Sequence, residues 1–332
     1  MEIKKAFVTG GTGFIGSFVV KSLIENGIKV KTLVRKSSKE AAISRLKSLG
    51  AELVCGDILE ADSYEDALDD VSYVFHCAAV HKIWTDNITL LYKVNVDGTR
   101  TLLELAARKN AEQFIYTSSA KTIGLTPAGK ISNEEKKYNL WDIDNDYGKS
   151  KFLAEEMLFN SKKNIIIKIL NPAAVIGPGD EKFSPTVDLI YRFLRKKIKV
   201  SLDTCMGLVD VRDVGYAHFL ALAKAKPRQR YILCAANLTL DDLFLRLSAL
   251  SNIPVPGFKM PYCLAYAIAY INSAISNITR RPPALTPKSL NIAFMKPAFD
   301  GNKAKEDLGL NYYPIEITLK DTVEWLENNF LK

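Results

Sequence analysis

The sequence predicts an α/β protein, a doubly wound parallel sheet with a smaller, mainly helical C-terminal lobe, and three observations carry that expectation. Short, continuously apolar, β-rich runs alternate with longer helical patterns through the first half of the chain. A glycine-rich loop joins the first run to the first helix. After Asn171 the rhythm breaks, and Pro172, Pro178, Pro185 and a series from Pro254 to Pro287 punctuate the remainder of the chain.

Taken in order, strands are expected at 5–9, 30–34, 51–55, 73–77, 114–117 and 165–170, with helices at 14–26, 40–49, 63–68, 90–109 and 147–159. The strand runs do not alternate with polar residues, as expected where helices cover both sheet faces. Two later runs, 208–211 and 230–233, read as strands returning to the main sheet. The lobes are therefore expected to interleave, with 1–171 and about 207–235 forming the dinucleotide-binding part and about 172–206 and 236–332 the substrate lobe.

At 48% hydrophobic and 25% charged residues the chain can bury a core, which excludes disordered and fibrous classes. A net charge of +8, read as spread along the chain, does not argue for nucleic acid. Five cysteines without a C-x-x-C pair point to a reduced, cytoplasmic protein, and residues 1–5 lead straight into a strand without a signal-peptide core. Three histidines form no metal-ligand pattern, so no metal is expected. The uncharged stretch 260–279 contains Pro261, Asn272, Ser273, Ser276 and Asn277, which excludes a span. A buried amphipathic helix is expected there, with contact to a membrane surface as the alternative because of its basic flanks and tyrosines.

The loop Thr9-Gly10-Gly11-Thr12-Gly13-Phe14-Ile15-Gly16 spaces glycines at 10, 13 and 16 between a strand and a helix. A pyrophosphate needs backbone N–H groups close by with no Cβ in the way, and the helix adds its positive end. Gly10, Thr12, Gly13, Phe14, Ile15 and Gly16 are thus candidates to bind a dinucleotide. Where an NAD site would usually place a carboxylate after the second strand, this chain has Arg35, with Lys36, Ser37, Ser38 and Lys39 directly after it. NADP(H) is favoured, with NAD(H) kept open. Asp57 and Ile58, after the third strand, are placed to meet the adenine amine and ring.

Tyr147 and Lys151 share one helical face, although 14 Tyr and 45 Lys or Arg in 332 residues give about two such spacings by chance. Their place raises them: they open the helix after the fifth strand, whose end carries Tyr116-Thr117-Ser118-Ser119-Ala120. The combination resembles the extended short-chain dehydrogenase/reductase superfamily, with its Rossmann sheet, over nearly the whole chain. Phe75-His76-Cys77-Ala78-Ala79, Asn95-Val96-Asp97-Gly98-Thr99, 171–178 and 303–325 are similar to its dihydroflavonol 4-reductase-like and hopanoid-associated sugar epimerase-like branch.

The resemblance implies Ser119, Tyr147 and Lys151 as the catalytic set, with Thr117 and Ser118 as local alternatives to Ser119. It also implies that Ala78, Ala79, Val80 and Pro172 line the cofactor and that Asn95 supports the fourth strand. Lys151 and the nicotinamide charge would lower the Tyr147 phenol below its usual pKa of about 10. His81, Lys82, Ile83 and Trp84, by position, should face the cleft, with Phe183 and Tyr191 closing it from the other lobe. The expected function is NADPH-dependent carbonyl reduction or alcohol oxidation. A sugar-nucleotide epimerase or dehydratase with tightly bound NAD(P) is the alternative, and a non-catalytic NADPH-binding module the third. The stretch 207–213 lacks the Arg-Asp-aromatic-basic run with which such epimerases often hold a nucleotide. The basic cluster Arg192, Arg195, Lys196, Lys197 and Lys199 is read as a solvated helix end. A homodimer stays open.

Overall fold

A computed structural model describes residues 4–81, 85, 87–127, 130–279 and 285–331. Its strands are β1 (Lys5–Thr9), β2 (Lys29–Val34), β3 (Glu52–Cys55), β4 (Tyr73–His76), β5 (Gln113–Thr117), β6 (Ile166–Pro172), β7 (Ala174–Ile176), β8 (Val200–Ser201), β9 (Cys205–Asp210), β10 (Arg230–Leu233), β11 (Ala236–Thr239) and β12 (Phe258–Lys259). Helices α1 (Phe14–Glu25), α2 (Glu40–Ser48), α3 (Ile88–Tyr92), α4 (Gly98–Arg108), α5 (Asp146–Phe159), α6 (Pro185–Leu194) and α7 (Val211–Lys224) accompany them. The C-terminal part adds α8 (Leu240–Ser251), α9 (Tyr262–Thr279), α10 (Pro287–Phe294), α11 (Asn302–Leu308) and α12 (Ile315–Phe330).

Seven strands form the main sheet in the order β10-β6-β5-β4-β1-β2-β3, every adjacent pair parallel. The fold is Rossmann-like α/β, and the apolar runs have the cause expected of them. Along β1, Ala6 and Val8 pack into the layer with α1, α7 and α11, while Phe7 packs into the opposite layer with α4 and α5. The order reverses between β1 and β4, the place where open α/β sheets bind ligands at their carboxyl ends.

The structure departs from expectation at five places. The run 230–233 returns to the main sheet as β10, but 208–211 does not: β9 sits between β11 and β7 in a separate three-stranded sheet. The expected helix at 63–68 is two short 3₁₀ turns, Ala61–Ser63 and Asp66–Leu68. So short an apolar run cannot support a longer helix against Asp66, Asp69 and Asp70. The helix expected over 90–109 is broken by a π-helical turn at Lys93–Asp97, which carries Asn95. Phe183 and Tyr191 pack edge-to-face on each other, ring centroids 4.9 Å apart, and Phe183 packs likewise on Phe330 of α12, so they belong to the core of the C-terminal lobe. Finally, α9 is not buried. It rests on the protein through Ala265 and Ala269 and turns its large apolar residues outward.

Candidate active site

The carboxyl ends of β1 and β2 form one half of the site. Gly10 has φ +76°, and a Cβ there would strike the backbone of Cys77 and Ala78. A Cβ on Gly16 would run into the Gly10 carbonyl, so both glycines are required for the turn to close onto α1. Gly13 caps α1 without a side-chain hydrogen bond, and the first turn of α1 carries no acid, which leaves its N–H groups free for an anion. These features fit a dinucleotide pyrophosphate.

Beyond the loop, Arg35 N–H donates to Ser38 Oγ at 3.2 Å and Ser38 N–H to the Arg35 carbonyl at 2.9 Å, folding 35–38 into a tight turn. A cavity of about 220 Å³ joins that turn to the glycine loop, lined by Thr12, Phe14, Arg35, Ser37, Ser38 and Lys39 among others. Cations and hydroxyls here suit a ribose 2′-phosphate. The cavity also contains Glu181, ion-paired with Arg45 at 3.5 Å. Arg35→Glu is expected to raise KM for NADPH at least about tenfold more than KM for NADH, the loss of a charge-assisted contact of about 1.5–3 kcal/mol; equal changes in steady-state kinetics would contradict it.

Asp57 remains half-exposed, its carboxylate accepting from Leu59 N–H at 3.0 Å. Ile58, by contrast, is buried in the core facing Gly98, so the expectation that it offers a face to adenine is corrected. Ala78, Ala79 and Val80 come directly after β4, beside the glycine loop. The π-helical turn explains their position: Asn95 Oδ1 accepts from Val80 N–H at 2.7 Å, and its Nδ2 donates to the Val80 carbonyl at 3.2 Å and to Ser150 Oγ at 2.9 Å. One amide thereby ties the β4 loop to α5.

Ser119, Tyr147 and Lys151 come together at the ends of β5 and α5. Asn145 caps α5, accepting from Gly148 N–H at 3.0 Å, which fixes Tyr147 in the first turn. Tyr147 is 8% exposed and sits near Ser119, which lowers its phenol, without a hydrogen bond formed between the two hydroxyls. Ser119 Oγ accepts from Lys121 N–H at 3.2 Å, so its own hydrogen is left to point outward. The alternatives are used elsewhere. Thr117 Oγ1 is 2.7 Å from His218 Nε2, and Ser118 Oγ is buried on the Glu155 side without a well-formed hydrogen bond.

Lys151 is 2% exposed and donates to the Thr117 carbonyl at 2.6 Å, its ammonium 4.0 Å from the Tyr116 ring centre. Burial pulls its pKa down to about 7, with Glu155 opposing the shift. The chain's own residues do not lower the Tyr147 phenol by themselves: burial raises it above its usual value, against the lowering effect of Ser119. The reason is placement, because Lys151 is drawn to Thr117 and Tyr116, and the chain's own residues therefore keep Tyr147 protonated.

Beneath the site is a residue that sequence reasoning misses. Glu155, 1% exposed and one turn after Lys151, is held by Asn171 Nδ2 and by the Thr122 hydroxyl at 2.8 Å. Asn171 Nδ2 lies 3.2 Å, and Thr122 Oγ1 2.9 Å, from the Ser119 carbonyl, so Glu155 anchors both groups that fix Ser119. Arg230 reaches the other oxygen at 3.6 Å. Burial raises the Glu155 carboxyl above its ordinary value, so an amide should replace it well. Glu155→Gln is expected to keep most turnover, whereas Glu155→Ala should lower kcat by up to about 10²-fold through misplacement of Ser119. Equal kcat in the two variants would contradict this role.

Pro172 ends β6, opposite Leu233 of β10, at the same carboxyl edge of the sheet. His81 is exposed and lies edge-on to Tyr147, centroids 4.5 Å apart. Lys82, Ile83 and Trp84 lie outside the described residues. Phe183 and Tyr191 do not reach this cluster, because Phe330 holds Phe183 in the C-terminal core. Arg212 is engaged by Asp210 at 2.6 Å and Asp321 at 2.7 Å and stacks on Tyr313. Among the described residues no group of three or more His, Cys, Asp or Glu could hold a metal.

Comparison with known proteins places this geometry. The NAD dependent epimerase/dehydratase family pattern matches residues 6–234. The chain belongs to that family. It is thus a member of the extended short-chain dehydrogenase/reductase superfamily, whose name-giving members use a nicotinamide cofactor. A protein of Synechocystis sp. named "Putative dihydroflavonol 4-reductase" is 33% identical over 97% of this chain and 94% of its own length. Sterol demethylase protein B of Methylococcus capsulatus is 29% identical over 96% of this chain and 97% of its own. The crystal structure of gox2253 superposes with a TM-score of 0.87 at 31% identity, covering 98% of this chain and 99% of that one.

Proposed function

We propose that the protein is an NADPH-dependent oxidoreductase that moves a hydride between nicotinamide and a carbonyl or secondary alcohol, with Ser119, Tyr147 and Lys151 as its working residues. The observation that carries this reading is the placing of Ser119, buried Tyr147 and buried Lys151, which donates to the Thr117 carbonyl, at the carboxyl end of β5 on the side of the glycine-loop cradle. When bound, the cofactor supplies the hydride from C4 of its nicotinamide. Ser119 donates a hydrogen bond to the substrate oxygen and stabilises the charge that develops there. Tyr147, kept protonated by burial, gives its proton to that oxygen as the carbonyl carbon is reduced, and takes one back in the reverse direction. Lys151 holds the nicotinamide ribose. Arg35, Ser37, Ser38 and Lys39 hold the 2′-phosphate. A division of labour between 1–171 with about 207–235 for the cofactor, and the rest for the substrate, belongs to the same reading.

A nucleotide-sugar epimerase or dehydratase is the second reading, because the matching family carries that name. Arg212 weighs against it: in 207–213 it is the one arginine available for a diphosphate, and it is spent on Asp210, Asp321 and Tyr313. An apolar carbonyl compound fits better. The test is the nicotinamide absorbance of added NADPH with purified protein and a panel of ketones, aldehydes and nucleotide sugars. Net NADPH consumption with a ketone or aldehyde is expected. Conversion of a nucleotide sugar with no net change in NADPH would overturn the reductase reading.

A further inference from the structure

We propose that α9 docks the protein on the surface of an anionic lipid bilayer, lying in the plane of the interface. The helix is turned the opposite way from an ordinary surface helix, which buries its large apolar face. Ala265 and Ala269 pack down against Leu290 of α10, while Ile271, Ile275 and Ile278 are 59%, 51% and 84% exposed. With Leu264 and Ile268 they fall at i, i+4, i+7, i+11 and i+14, one continuous stripe. Contiguous exposed apolar surface of this kind marks an interaction site. Tyr262 and Tyr270, also exposed, are the amphipathic rings that favour a headgroup boundary.

Charge identifies the partner. The 18 residues of α9 contain no Asp, Glu, Lys or Arg. From residue 243 to 299 there is no acid at all, against six cations, Arg246, Lys259, Arg280, Arg281, Lys288 and Lys296, so this segment holds +6 of the chain's net +8. The excess is therefore concentrated here and not spread along the chain. Acids from elsewhere pair with Arg246, Lys259 and Lys296. Lys288 is exposed and has no ion pair among the described residues, and Arg280 and Arg281 come directly after α9 in sequence. An uncharged apolar stripe with exposed Lys288 nearby and two arginines following it in sequence suits acyl chains beneath anionic headgroups. Two copies meeting through α9 would set the same acid-free segment against itself. No helix among the described residues is long and apolar enough to cross a membrane, so α9 lies on the bilayer. Through Ile292 and Met295, the α10 region packs against the cluster containing Ala120, next to Ser119, so α10 links the inward side of α9 to the candidate site.

Vesicle flotation tests this, using phosphatidylcholine alone and phosphatidylcholine with about one third phosphatidylglycerol. The wild-type chain is expected to float with the anionic vesicles and to be released by high salt. Ile271→Asp/Ile275→Asp, on the exposed stripe, should lose at least about tenfold in vesicle affinity with an unchanged melting temperature. Lys288→Glu should weaken binding to anionic vesicles and leave the fold intact. Absence of flotation with the anionic vesicles, or equal flotation of the double variant, overturns the proposal. So does a dimer in analytical ultracentrifugation that the double variant splits while neither protein binds vesicles, which would make the stripe an interface between copies.

Discussion

Tyr147→Phe is expected to lower kcat by about 10²–10⁴-fold, the range for removal of a general acid or base, while the Kd for NADPH changes little. The split arises from where the hydroxyl sits. Tyr147 does not line the cavity that joins the glycine loop to the Arg35 turn, so the cofactor contacts inferred for those elements survive its loss. The ring stays in place because Asn145 caps the helix that carries it and His81 packs against it. Fluorescence titration with NADPH and single-turnover kinetics of the variant check the two halves separately. Turnover within tenfold of wild type would remove Tyr147 from the mechanism.

Lys151→Met is expected to do two opposite things, abolishing most turnover and raising thermal stability. The activity loss reflects the role proposed for the ammonium in holding the nicotinamide ribose, and about 10²-fold or more is expected. The stability gain comes from burial. In the unfolded chain Lys151 titrates near its ordinary 10.5, whereas in the fold its pKa is pulled down to about 7. Below about pH 7 the fold must carry a buried charge, and the full penalty is present; as pH rises towards 10.5 the unfolded chain also loses its proton and the penalty disappears. Methionine removes that penalty but leaves the Thr117 carbonyl without its 2.6 Å donor, which offsets part of the gain. A melting-temperature increase of about 2–4 °C near pH 6, shrinking towards pH 10, is the expected outcome of thermal melts. A decrease that grows as pH falls would show that the ammonium stabilises the fold.

The parts of the site legible from sequence are those set by local backbone demands. Gly10 and Gly16 announce themselves because a Cβ at either would collide with backbone a few residues or one strand away. The alternation of apolar runs and helical patterns reflects a sheet covered on both faces, and β1 to β6 fall within two residues of expectation at each end. Tyr147 and Lys151 stand out through their position after β5, since their spacing alone recurs by chance.

The features that are not legible depend on contacts between distant segments. Glu155 looks like a surface residue of an amphipathic helix, and only the approach of Thr122, Asn171 and Arg230 shows that it is buried beneath Ser119. A glutamate one turn after the lysine on the same face is the available signal. The π-helical turn at Asn95 has no local signature, because its cause is the tie between the Val80 backbone and Ser150. Phe183 and Tyr191 read as cleft residues until Phe330, far along the chain, closes over Phe183. The outward face of α9 is hidden for the same reason: its periodicity marks an apolar stripe but does not say which side meets the protein, and Ala265 and Ala269 decide that. A lowered Tyr147 phenol is the natural expectation with Lys151 one turn away, yet the Thr117 carbonyl and the Tyr116 ring hold the ammonium instead.

The central claim is that this chain transfers a hydride directly between nicotinamide and a carbonyl carbon, with Tyr147 handling the proton. The most direct measurement is mass spectrometry of the product formed from NADPH carrying deuterium at C4, with a ketone or aldehyde turned over by the wild-type protein and by Tyr147→Phe. One deuterium on the carbinol carbon with the wild-type protein, and almost no product with the variant, is the predicted result. Product without deuterium from either C4-labelled face, or equal labelled product from both proteins, would contradict it.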